Sequence, residues 1–185
     1  MADQGAEGLL SPFLRKKRFD AAKPFLNGRI LDFGCGAGGL AEYVPHDRYL
    51  GVDIDKYSLK QAQTRFPRHR FVADLSEVDD KFDSVVSLAV IEHVPKPAEF
   101  LRALAGHLDD SAGACLTVTT PHPSVDWVHD VGAVIGLFSK HANEEHEDLL
   151  DRAKLQEACS CAGLKLVLYR RFLLGANQLA VFERR

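Results

Sequence analysis

Asp32, Gly34, Gly36 and Gly38 alternate in the stretch Ile30-Leu-Asp-Phe-Gly-Cys-Gly-Ala-Gly, directly after an apolar run. Glycine at this spacing lets the chain turn tightly with positive φ and leaves no Cβ in a ligand's way. A strand entering such a turn and leaving as a helix makes a nucleotide-type pocket, because the helix aims its free N–H groups and positive end at the ligand. Asp53 ends a second apolar run, where a carboxylate can accept both hydroxyls of a ribose. His93 follows a third such run and has the intrinsic pKa for base work. Ordering its own loop is an equal reading for His93. The pair His129-Asp130 is a second base candidate, and a surface pair is its plain alternative.

These residues need a scaffold whose strands end together. Strands are predicted over 29–33, 49–54, 70–73, 82–89, 114–120, 164–170 and 178–182. Helices fall between them. Ser11-Pro12 starts one, with serine as N-cap and proline at the first helical position. Residues 38–44 are predicted as another, and Asp55 caps the next, with Leu59, Ala62 and Phe66 as its apolar stripe. Residues 97–108 form a helix with Leu101, Leu104 and Leu108 inward, and the last begins near Asp151 and stops at Gly163. Alternating strands and helices predict an α/β, doubly wound, mostly parallel seven-stranded sheet. The connection 174–177 is too short for a parallel crossover, so the final pair is an antiparallel hairpin. Ligands then bind outside the carboxyl ends of the strands, at the switch point after the first.

Residues 1–10 read as a flexible N-terminus and 11–185 as a single domain, with 121–148 an irregular segment on the substrate side. That segment holds His122, His129, His141 and His146, and the only tryptophan, Trp127. Trp127 and Phe138 are candidates to line an apolar substrate pocket, or simply to pack. The spacing His141-x-x-x-x-His146 matches no recognised metal signature, and no metal is expected. The cysteines, Cys35, Cys115, Cys159 and Cys161, lack Cys-x-x-Cys spacing and read as reduced thiols. A formal charge of −3 gives no reason to expect nucleic acid. No apolar run approaches the roughly 20 residues of a membrane span. The polar start, 1–8, lacks a signal-peptide core, so a cytoplasmic location is expected.

Gly34, Gly36 and Gly39 also fit the dinucleotide spacing Gly-x-Gly-x-x-Gly, which alone is a weak match. Asp32, read as standing at the mouth of the turn, opposes a pyrophosphate and suits a ligand ammonium group, directly or through water. Little chain remains for a dehydrogenase's substrate domain. At this point the sequence resembles the class I S-adenosylmethionine-dependent methyltransferases of the small-molecule type, from about residue 29 to 183. Ile30-Leu-Asp-Phe-Gly-Cys-Gly-Ala-Gly is similar to the family's first motif and Tyr49-Leu-Gly-Val-Asp-Ile-Asp to its second-strand motif. Phe71-Val-Ala-Asp74 is similar to the segment that reaches the adenine. Phe82-Asp-Ser-Val-Val-Ser-Leu-Ala-Val-Ile-Glu-His-Val-Pro resembles the fourth-strand motif.

The resemblance implies a Rossmann-like fold and S-adenosylmethionine as cofactor. Asp53 then takes the ribose, Ile54 and Leu75 flank the adenine, and Asp74 accepts from its amine. The main chain of Gly34, Gly36 and Gly38 and of Leu88 to Ala89 holds the methionine end. Arg18, basic on an otherwise apolar helical stripe, is a candidate for the same site. The implied activity is methyl transfer to a small-molecule acceptor. A hydroxyl oxygen is favoured because no Asn-Pro-Pro-Tyr-like string follows the fourth strand. Two other readings stay open: an NAD(P)-dependent oxidoreductase, and a non-catalytic cofactor-binding regulatory domain.

Overall fold

The computed structural model describes residues 11–125 and 150–185. Its seven strands form one sheet in the order β3-β2-β1-β4-β5-β7-β6. They are β1 (Ile30–Phe33), β2 (Tyr49–Val52), β3 (Arg70–Val72), β4 (Ser84–Leu88), β5 (Cys115–Pro121), β6 (Leu164–Phe172) and β7 (Asn177–Arg184). The pairs β1–β2, β1–β4, β2–β3 and β4–β5 are parallel. Strand β7 runs antiparallel between β5 and β6. The strand order reverses between β1 and β4, which opens the crevice at the carboxyl end of β1.

Four α-helices among the described residues cover the faces: α1 (Ser11–Ala22), α2 (Lys56–Arg65), α3 (Pro97–Ala105) and α4 (Arg152–Cys161). Alternation along the strands feeds two cores. Ile30 joins Ala22, Leu59 and Ala62 on one face, and its neighbour Leu31 joins Leu101, Leu104 and Leu155 on the other. Helix α2 starts where Asp55 accepts from the amides of Tyr57 (3.1 Å) and Ser58 (3.3 Å). Helix α4 starts likewise at Asp151, which accepts from the Lys154 amide at 2.9 Å.

The helix predicted over 38–44 is instead a single 3₁₀ turn, Leu40–Tyr43. Val44 is extended (φ −125°, ψ 130°) because it precedes Pro45, whose ring disfavours the helical conformation in the residue before it. Between the glycines and Pro45 too little chain is left to nucleate an α-helix. The glycine turn therefore has no long helix behind it.

Candidate active site

The turn after β1 is tied to β2 by two amides, Gly34 (2.8 Å) and Cys35 (3.1 Å), both donating to the Val52 carbonyl. Gly34 has φ +77°, and a Cβ there would lie 2.4 Å from the Val90 side chain, so the turn and the segment after β4 touch. Gly36 has φ +52°, and a Cβ there would project into open space. That open, left-handed position is what a cofactor cradle requires.

Asp53 closes the floor of this cradle. Its Oδ2 accepts from the Gly36 amide at 2.7 Å and its Oδ1 from the Asp55 amide at 2.9 Å. Each oxygen keeps a second lone-pair direction for a ligand donor. Ile54, next along, has its side chain 91% exposed, an isolated apolar platform beside the carboxylate. Leu75 is half-buried against the core. Asp74 caps a 3₁₀ turn: its Oδ1 accepts from the Ser76 amide at 2.8 Å while Glu77 accepts from the Asp74 amide at 3.1 Å. The Ser76 bonds hold its carboxyl below the usual range. On the other wall, half-buried Leu88 ends β4. Ala89 follows with φ +58°, a conformation costly for any residue with a Cβ, while its amide donates to the Thr119 carbonyl at 2.9 Å.

Three expectations change at this point. Asp32 does not stand at the mouth of the turn. It is buried to 3% exposure and its Oδ2 accepts from the Tyr49 hydroxyl at 2.7 Å. Burial pushes its carboxyl up to about 7, against the pull of the Tyr49 bond and with a smaller push from Asp53. The reason is register: Asp32 pairs Gly51 on β2, inside the sheet. Gly38 packs on α2 and β3, since a Cβ there would sit 3.2 Å from each of Ala62, Phe66 and Phe71, and its amide donates within the turn to the Cys35 carbonyl at 3.0 Å. Arg18 donates through Nε to Asn177 Oδ1 at 3.1 Å, on β7. The basic side chain against the turn is Arg15, whose Cδ lies 3.6 Å from where a Gly39 Cβ would be.

At the carboxyl edge of β4 the chain makes a 3₁₀ turn, Ile91–His93. Ile91 is buried, and His93 is exposed at the rim. Glu92, which the sequence reading passed over, turns inward. Its Oε2 is buried beside Thr120 Oγ1, which helps draw the carboxyl down, although neither atom makes a hydrogen bond of normal geometry among the described residues. Burial pushes the Glu92 carboxyl up, while His93 and Arg18 draw it down. Burial lowers the Arg18 guanidinium, and Glu92 opposes that. Tyr49 and Asn177 were missed as well. Only the register that brings Tyr49 beside Asp32, and the insertion of β7, place them here. His129, Trp127 and Phe138 lie outside the described residues. Among the described residues no group of three His, Cys, Asp or Glu side chains could hold a metal.

A family profile described as a methyltransferase domain matches residues 7–169. A ubiquinone biosynthesis O-methyltransferase of Paracidovorax citrulli (strain AAC00-1) is 29% identical over 171 residues, covering 85% of this chain and 71% of that protein. One of Aeromonas salmonicida (strain A449) is 26% identical over 149 residues, covering 74% of this chain but only 62% of that protein. Among solved structures, magnesium protoporphyrin IX methyltransferase from Synechocystis PCC 6803 with bound SAH superposes with a TM-score of 0.68 at 17% identity, over 99% of this chain and 90% of that one. An S-adenosylmethionine-dependent methyltransferase from Clostridium acetobutylicum ATCC 824 gives a TM-score of 0.68 at 12% identity, over 95% and 96%. The profile decides against the nicotinamide reading of the glycine spacing, and the shared sheet accounts for where the cradle lies. With a methyltransferase profile over most of its length, the chain belongs to the class I S-adenosylmethionine-dependent methyltransferases.

Proposed function

We propose that the acceptor oxygen belongs to a hydroxyl of a small molecule and that the cradle residues divide the cofactor between them. The chain is an S-adenosylmethionine-dependent methyltransferase. When bound, that cofactor supplies a methyl group already activated by the sulfonium. The protein's task is then to align the two reactants and relieve the acceptor of its proton. Alignment alone is worth about 7–11 kcal/mol in favourable intramolecular systems. A positioned base adds roughly 10²–10⁴-fold.

The observation that carries the cofactor assignment is the Gly36–Asp53 pair: an open left-handed glycine whose amide is held by a carboxylate at 2.7 Å. In this reading Asp53 accepts from the ribose hydroxyls, Ile54 and Leu75 bracket the adenine, and Asp74 offers its second oxygen to the exocyclic amine. The main chain at Gly34, Gly36, Leu88 and Ala89 lines the methionine end. Asp32 supports the turn from beneath through its bond with Tyr49 instead of direct contact. The acceptor enters beside the turn at 91–93. His93 at the rim is the base candidate on the described residues, and His129, Trp127 and Phe138 remain candidates on the substrate side. The hydroxyl preference is supported by the O-methyltransferase names of the relatives.

Incubation with S-adenosylmethionine and a panel of hydroxylated aromatic acceptors tests this. S-adenosylhomocysteine should form together with a product one methyl heavier at oxygen. Calorimetric binding of the cofactor with no turnover on any acceptor would favour the regulatory reading instead. Asp53→Ala should weaken cofactor binding tenfold or more, the equivalent of about 1.5–3 kcal/mol for bonds to a charged group. Unchanged affinity would sink the ribose assignment.

A further inference from the structure

A second cleft lies away from the cradle, where the chain enters β2 and β3. Residues 41–46 form one wall and 65–69 the other, enclosing about 570 Å³. That volume is in the range of small-molecule sites. Nothing in the methyl-transfer reading uses it.

Its charges do not cancel. Arg65 Nη2 meets Glu42 Oε2 at 2.6 Å, so that pair is neutral. Arg68 has no such carboxylate among the described residues. Its Nη2 instead lies 2.9 Å from His46 Nε2. A guanidinium can only donate, so Nε2 of His46 accepts and brings no negative charge. His69 donates through Nε2 to the Val44 carbonyl at 2.9 Å, leaving its Nδ1 buried without a hydrogen-bond partner among the described residues. The cleft thus carries one uncompensated guanidinium, steered by a histidine and free to present its remaining N–H groups.

Its walls are flat and apolar. Tyr43 is 49% exposed and is backed by Phe19, with ring centroids 5.9 Å apart. Phe66 lies opposite, under the Arg65 guanidinium at 4.9 Å, and stacks edgewise on His69 at 5.4 Å. Pro45 and Pro67 complete the lining. Aromatic and proline walls select a planar ring, and a guanidinium matches the fork of a carboxylate.

We propose that this cleft is a binding site for a small aromatic carboxylate, with Arg68 as the group that receives its charge. The site is separate from the cofactor cradle and does not depend on which acceptor the enzyme methylates.

Benzoate is the probe, titrated into the full chain already saturated with S-adenosylmethionine and followed by amide NMR. The expected result is a saturable shift confined to residues 41–46 and 65–69. Benzamide, which keeps the ring and lacks the charge, should bind at least tenfold more weakly, as should inorganic phosphate, which keeps a charge and lacks the ring. Arg68→Ala should also weaken benzoate at least tenfold. Arg68 is exposed and supports no core residue, so this variant keeps the fold, which its own amide spectrum verifies. No saturable shift, shifts centred on Gly36 instead, equal binding of benzamide or phosphate, or full affinity in Arg68→Ala would each overturn the proposal. None of these outcomes bears on the methyltransferase assignment, which cofactor binding and turnover test separately.

Discussion

Asp32 shows what burial does to a single residue. A carboxylate sealed inside the sheet loses its hydration, and one hydrogen bond from Tyr49 restores only part of it. Its proton is therefore retained in the folded chain up to about pH 7, whereas in the unfolded chain it leaves near the ordinary carboxylate value of 3.8. A group whose folded pKa is raised stabilises fully below the unfolded value and loses that contribution as pH rises through the folded one. The cofactor-free protein should accordingly lose stability between about pH 4 and pH 7 through this residue, by an amount on the order of 4 kcal/mol at most. Denaturant titrations across that range should show the slope in the wild type and its flattening in Asp32→Asn, which still accepts from Tyr49. A slope that survives in the variant would assign the effect to other groups. Asp53, by contrast, is only partly buried and accepts from the Gly36 and Asp55 amides, so it keeps contact with water that Asp32 has lost.

At the scale of elements, the hairpin joining β6 and β7 is the costliest local geometry. Leu173 and Leu174 both have φ of +53°, ahead of Gly175 at +91°. Two left-handed residues match the right-handed twist of the flanking strands, but leucine is a poor occupant of either position. Leu174 is fully exposed and packs against nothing. Leu174→Asn should raise stability by about 1 kcal/mol, read as a higher denaturation midpoint with an unchanged slope. A lower midpoint would mean that the leucine makes contacts in solution. The turn before α2 has the opposite character: Asp55 is a good cap whose neighbour, Ile54, is left free on the surface.

Across the whole molecule, β7 inserts between β5 and β6 and so brings Asn177 to α1, where Arg18 reaches it from 159 residues away in the chain. That hydrogen bond ties helix α1 to β7, and Glu92 acts on the Arg18 guanidinium only at longer range. Arg18→Met should cost about 1.5–3 kcal/mol, because it leaves the buried Asn177 Oδ1 without its charged donor. A double-mutant cycle with Glu92→Gln, read by chemical denaturation, measures the coupling of the two charges. Strictly additive losses would show that the two charges do not interact. The strands, their parallel order and the terminal hairpin were legible beforehand because apolar runs of strand length and the short connection read at 174–177 are local facts about the chain. The Gly34–Gly36 turn and Asp53 were legible for the same reason: their spacing is itself the geometry. The contacts of Asp32, Gly38 and Arg18 were not legible, because their surroundings come from other elements. Strand pairing puts Tyr49 against Asp32, α2 covers Gly38, and β7 captures Arg18. The linear reading singled out His93 and passed over its neighbour Glu92, whose buried Oε2 only the folded chain reveals. The sequence alone determined the fold class and the cofactor chemistry, since both rest on short-range pattern. Only the tertiary structure decided which polar groups lose their water, because desolvation is imposed by residues far away in the chain.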